Sequence, residues 1–205
     1  MKFVEWCRNA NLMLDKTLVF EGIAPLLLRL YLVPVLLQAG WHKLSAFDST
    51  VEWFGHPEYG LGLPFPLLLT SLAIAAEVLG SVLLLIGLAT RWVTIPLMIT
   101  MLVAIFAVHW PNGWAAIADP ASWLSDGTLL LNDDVLSSPE KLEAAKSILA
   151  EHGNYQWLTS SGHFVILNNG VEFAVTYFIM LLSLFFSGGG RMTSVDYYLA
   201  KALAK

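Results

Sequence analysis

The chain has a single cysteine, Cys7. An internal disulfide is impossible, and thiolate clusters and CxxC redox chemistry are excluded with it. Cys7 reads as a small apolar residue on a surface helix. Charge is scarce too: 13% of the 205 residues are Asp, Glu, Lys or Arg, where a soluble globular chain carries roughly 25%. There is no lysine- and arginine-rich run, which argues against nucleic acid as a partner. The formal net charge of -5 excludes nothing by itself. No small-x-small cleavage site follows the first apolar run, and Glu5, Arg8, Asp15, Lys16 and Glu21 precede it. It reads as a retained helix rather than a cleaved signal. No flavin, haem-attachment or iron–sulfur motif is present, nor any HxH or HxxxH pair, internal repeat or low-complexity tract.

Apolar residues are abundant. The hydrophobic fraction is 57% and the mean hydropathy is +0.65, an excess too great for one water-soluble core. A spanning helix needs about 20 mostly apolar residues. Four segments qualify or nearly qualify: 23–44, with Pro25 near its start, 64–88, 92–110 and 171–187. The tight turn Gly87–Leu88–Ala89–Thr90–Arg91 makes the second and third antiparallel neighbours. The expected fold is an all-α membrane protein, an antiparallel four-transmembrane-helix bundle forming one domain over 1–205. An acidic extracytoplasmic insert at 111–169 separates helices 3 and 4, and short interfacial helices lie at both ends. Phe3, Cys7, Ala10 and Leu14 mark the first of these. Val195, Tyr198, Leu199 and Leu203 mark the second, with Ser194 as its N-cap. Within the insert, Ser138 is expected to cap a helix that ends at Gly153, and 155–158 pairs with 163–167 as a hairpin.

Orientation follows from the basic flanks. With both termini cytoplasmic, the inner side holds Lys2, Arg8, Lys16, Arg91, Arg191, Lys201 and Lys205, against Lys43, Lys141 and Lys146 outside. Trp41, Trp53, Trp110, Trp114, Trp123 and Trp157 then fall in or beside the outer loops, and those at span ends fit an interfacial aromatic belt. The chain is expected in a bacterial-type inner membrane, multi-pass.

Ionisable residues inside spans usually face the bundle or a cavity. Glu77 shares a small, polar face with Thr70, Ala73, Gly80 and Ser81. Arg29 lies on a face with Val33, Leu36 and Gly40, its long side chain able to snorkel to the cytoplasmic surface or to reach toward Glu77. These two are read as a buried charge pair. Tyr31, Gln38 and His42 form a second stripe, able to hydrogen-bond a quinone head group beside an apolar cleft, with Pro34 favouring a local opening. His109 ends the third span and Glu172 opens the fourth, so both join the ligand-binding candidates at the outer membrane level. A metal such as copper would instead draw on His42, His109 and His163, perhaps with Glu172. Polar packing and an interfacial hydrogen-bond network are the bland alternatives.

Several motifs resemble the DoxX family: Leu28–Arg29–Leu30, Gly40–Trp41–His42–Lys43–Leu44, Gly62–Leu63–Pro64, Glu77 with Gly80, the 87–91 turn, and His109–Trp110 with Gly113. The insert and Leu167–Asn168–Asn169–Gly170–Val171–Glu172–Phe173 are similar to its HvfX-like branch, which is associated with copper-linked modified peptides. The resemblance implies a redox theme. Some DoxX relatives are membrane subunits of a quinone-linked oxidoreductase, and others partner membrane-bound oxidoreductases. It implies a quinone/quinol-interacting component that works with a partner protein or enzyme, in the lipid bilayer and as an oligomer if it self-associates. With no cofactor motif, the chain is not expected to be a complete redox enzyme alone. The rival readings are a transporter or export partner for a metal or modified peptide, and a membrane scaffold for a soluble enzyme.

Overall fold

The computed structural model describes residues 4–6, 8, 11, 19–124 and 132–204. The helix expected over Phe3, Cys7, Ala10 and Leu14 lies outside the described residues. The helices are α1 (Ile23–Ser45), α2 (Phe47–Gly55), α3 (Pro66–Ile86), α4 (Thr90–Val103), α5 (Asp133–Leu136), α6 (Ser138–His152), α7 (Tyr155–Leu158), α8 (Glu172–Ser187) and α9 (Val195–Leu203). A π-helical turn, Ala104–His109, and a 3-10 turn, Trp110–Asn112, extend α4. Among the described residues, three helical segments are long and apolar enough to cross a membrane: Ile23–Ser45, Pro66–Ile86 and Thr90–Asn112. Only 33%, 33% and 28% of their apolar windows are buried, so most of that apolar surface faces outward, as a bilayer permits and water does not. The fourth apolar helix, α8, has 16 residues and rises about 24 Å, short of a hydrocarbon core of about 30 Å.

The chain forms two compact units, one from residues 1–100 and 177–205, the other from 101–176. In the first, α1 buries Pro25, Arg29, Leu32, Val33, Leu36 and Gly40. α3 buries Thr70, Ile74, Glu77, Gly80, Ser81 and Leu84. Both sets recur at the helical spacing of three and four residues. A Cβ on Gly40 would stand 2.8 Å from Val78 Cγ2 and 2.9 Å from Glu77 Cβ. The missing side chain is what lets the two backbones approach. At Gly87 (φ 69°) the chain leaves α3 in the left-handed conformation, which glycine adopts without a steric penalty. Leu88 N–H reaches back to Leu83 O at 3.0 Å, closing a Schellman turn. Ser194 caps α9 as expected, accepting from Tyr197 N–H, and Val195, Tyr198, Leu199 and Leu203 all lie exposed on that helix. α2 has no counterpart in the sequence reading, although Asp48 in its first turn and Phe54, buried, are ordinary helix signals.

The second unit departs from two expectations. Tyr155–Leu158 is a single helical turn, capped by Asn154 accepting from Trp157 N–H, so the hairpin with 163–167 does not form. The strand-like stretch instead meets the other side of the insert, with Ile117 bridged antiparallel to Leu167. Ser138 does not cap α6. Its hydroxyl donates to Val135 O at 2.7 Å, a bond to the preceding short helix. Ser138 is instead the first residue of α6, with Ser137 at the N-cap position, Pro139 in the first turn and Gly153 ending the helix.

Candidate functional site

The centre of the first unit is an ion pair. Gly40 seats α1 against Glu77, and Lys43, one turn further along α1, reaches the same carboxylate. Lys43 Nζ donates to Glu77 Oε1 at 2.9 Å and Oε2 at 2.7 Å. Glu77 is nearly sealed, at 4% side-chain exposure, and Lys43 keeps 28%. A carboxylate at that depth must be compensated, and both its oxygens face the ammonium. Thr70 Oγ1, on the same face of α3, is buried without a hydrogen-bond partner among the described residues.

The expected Arg29–Glu77 pair is therefore replaced. Gly40 meets Glu77 and Val78, while Arg29 meets the end of α3, so the two helices run antiparallel. The eleven residues from Arg29 to Gly40 rise about 16 Å, which carries the guanidinium out of reach of Glu77. Arg29 is fully buried and donates to Leu84 O (3.0 Å), Leu85 O (3.3 Å) and Thr193 O (2.7 Å). Leu84 and Leu85 belong to the last turn of α3, where unpaired carbonyls and the helix dipole favour a cation. Gly87 makes room, because a Cβ there would stand 2.3 Å from Arg29 Nη1. Asp196 completes this polar knot. It accepts from Ala89 N–H at 2.6 Å and Thr90 N–H at 2.8 Å, capping α4, and its own N–H donates to Gly87 O at 3.0 Å.

Tyr31, Gln38 and His42 are all exposed on α1. Tyr31 lies with its ring 6.4 Å from that of Tyr177. Trp41, beside His42, is 63% exposed. Gln38 and His42 thus face away from the contact with α3, on a helix whose Leu27, Leu30 and Leu37 are also exposed, while Tyr31 is engaged by Tyr177 of α8.

In the second unit His109 and Glu172 belong to one hydrogen-bonded loop system. His109 Nδ1 lies 2.9 Å from Asn169 O. A carbonyl only accepts, so Nδ1 is the protonated, donating nitrogen of this bond. Asn112 Nδ2 donates to the same oxygen at 3.1 Å. Asn168 Nδ2 donates to Asn112 O and Ala115 O, each at 2.7 Å. Glu172 Oε2 accepts from Ala116 N–H at 3.0 Å, a carboxylate in the first turn of α8. His109 closes the π-helical turn, a feature frequent at functional sites, and periodicity gave no sign of it.

The remaining histidines are spread out. His56 stacks on Tyr59, ring centroids 3.7 Å apart, and accepts from Glu58 N–H. The Tyr59 hydroxyl donates to Glu52, and this bond raises the phenol's pKa above its usual value. His152 and His163 are exposed. Among the described residues no three His, Cys, Asp or Glu side chains are grouped to hold a metal ion, so His42, His109 and His163 are not gathered into such a site.

Residues 24–110 match the family model described as DoxX. This stretch runs from the start of α1 through the π-helical turn and includes Arg29, Gly40, Lys43, Glu77 and Gly87. No curated protein and no solved structure matches the chain.

Proposed function

We propose that the protein is a multi-pass component of an inner membrane, serving a redox-linked pathway by binding a quinone or quinol and working with a partner enzyme. The observation that carries this is the exposed Tyr31–Gln38–His42 stripe among leucines on α1. A side-chain amide and an imidazole turned toward hydrocarbon lack the partners water would supply, and a quinone carbonyl is an acceptor that dissolves in that medium. Gln38 and His42 stand one helical turn apart, about 6 Å, suited to hold opposite edges of one head group. An imidazole also exchanges protons near neutral pH, as quinol chemistry requires. The DoxX match supports the redox setting. The likeness of 167–173 to HvfX-like proteins supports a place beside enzymes that modify peptides. Four antiparallel spans remain the preferred arrangement, with α8 at 16 residues as the shortest.

Trp41 provides the readout. In lipid nanodiscs, a short-chain ubiquinone analogue is expected to quench tryptophan fluorescence saturably. Gln38→Leu with His42→Leu should weaken that binding at least about tenfold, or ~1.4 kcal/mol. A strong chelator should leave it unchanged, since no metal takes part. Linear, unsaturable quenching, or equal affinity in the double variant, would sink the quinone reading.

Topology is tested separately, in a Cys7→Ser background. Asp133→Cys is expected to react with an impermeant thiol reagent in intact cells, and Lys201→Cys only after permeabilisation. The opposite pattern would invert the orientation.

A further inference from the structure

Beside the polar knot, the first unit carries a recess of about 810 Å³ whose rim includes Arg91, Arg191, Trp92, the Gly188–Gly190 turn and Tyr197. Its chemistry is set by what each charge is already doing. Asp196, in the wall, is consumed by the Ala89 and Thr90 amides. Glu21 faces Arg191, Nη1 to Oε1 at 3.3 Å, and the Tyr197 side chain hydrogen-bonds Arg191 as well. Arg91 differs: the bond its guanidinium makes is to the Phe186 carbonyl, from Nη2 at 2.9 Å. Its Nε lies 3.5 Å from where a Gly188 Cβ would be, so the guanidinium lies over a backbone with no side chain to cover it. Among the described residues Arg91 has no carboxylate partner, Arg191 is paired at an exposed edge with Glu21 and hydrogen-bonded by Tyr197, and with an open glycine turn beside them they favour an anion with several acceptor oxygens.

The flanks say what the anion is attached to. Trp92 is 77% exposed and Phe186 69%. Each sits at the end of an apolar helix, α4 and α8, beside the arginines. Aromatic rings next to basic groups at helix ends mark the depth of lipid head groups, and apolar flanks offer acyl chains a path that a free ion would not use. We infer that this recess binds the phosphate head group of an anionic glycerophospholipid, with Arg91 as the principal contact, Arg191 as the second, and the acyl chains lying along Trp92 and Phe186. The site is separate from the α1 stripe and requires only that the first unit lie in a bilayer.

The test uses the full-length protein in detergent, titrated with phosphatidylglycerol or phosphatidylcholine and read by native mass spectrometry. Phosphatidylglycerol is expected to be retained and phosphatidylcholine to bind at least about tenfold more weakly, since an anionic surface and basic residues attract each other. Arg91→Gln combined with Arg191→Gln should erase that preference, while Lys141→Gln in the insert leaves it intact. Arg91→Gln alone keeps an amide able to donate to Phe186 O, so it isolates the charge if the double variant fails to fold. Equal binding of the two lipids to the wild type would overturn the proposal, as would an undiminished preference in Arg91→Gln. Displacement of the lipid by millimolar inorganic phosphate would show that the site takes the free ion instead. Quinone quenching reports on the other site, so either result can fail without the other.

Discussion

Lys43→Met is expected to destabilise the protein by about 3–5 kcal/mol, the usual cost of removing one partner from a buried ion pair. The penalty belongs to what is left behind. Glu77 retains 4% exposure, its two oxygens both face Lys43, and Gly40 brings the α1 backbone up against Glu77 and Val78. Glu77→Leu should cost comparably, because an ammonium then loses its counter-ion beside an apolar helix. Lys43→Met combined with Glu77→Leu should recover most of the loss, to within about 1–2 kcal/mol of wild type, since replacing a buried pair by apolar side chains is often near neutral. The control, Glu143→Leu on the exposed face of α6, should change stability by no more than about 0.5 kcal/mol. Thermal unfolding in a fixed detergent measures all four. Additive losses in the double variant would mean that the two groups act independently, and the ion pair would then explain nothing about the packing of α1 on α3.

Arg29→Met should be the second severe change, at about 3 kcal/mol. Hydrogen bonds to a charged donor contribute roughly 1.5–3 kcal/mol each, though not additively. Here the acceptors are the carbonyls of Leu84, Leu85 and Thr193. Methionine fills much of the volume and satisfies none of them. Arg29→Lys should fall between, because one ammonium cannot reproduce a planar fork reaching α3 and the 193 segment together. The distinguishing readout is local. Amide exchange at Ala89, Thr90 and 193–203 should accelerate more than in α3, because the guanidinium tethers the segment that positions Asp196. Uniform acceleration across the first unit would indicate general destabilisation and no tether.

The first three apolar runs and one of the two serine caps were legible in the sequence. The first span, read as 23–44, is Ile23–Ser45, and the inward faces of both charged spans were read correctly, Gly40 beside Arg29 and Gly80 with Ser81 beside Glu77. Ser194 acts as the cap it was read to be. Ser138 does not, because its hydroxyl finds the Val135 carbonyl, an acceptor presented by a helix of only four residues that no periodicity announces. The hairpin at 155–167 failed for a related reason. Asn154 caps a turn locally, and the partner of Leu167 is Ile117, fifty residues earlier in sequence.

Sequence by itself determined three segments long and apolar enough for hydrocarbon, which face of each charged helix turns inward, and where those three helices stop to within about two residues. Hydropathy, the 3.6-residue period and capping act within a few residues of one another, so a single segment carries the whole signal. Only the tertiary structure decided which cation meets Glu77. Arg29 and Lys43 lie on α1 fourteen residues apart, about 21 Å of rise, and nothing in either helix alone says how far one has slid along the other. The register is set where Gly40 lets the backbones touch. With that contact made, Lys43 is level with Glu77, and Arg29 is level with the last carbonyls of α3.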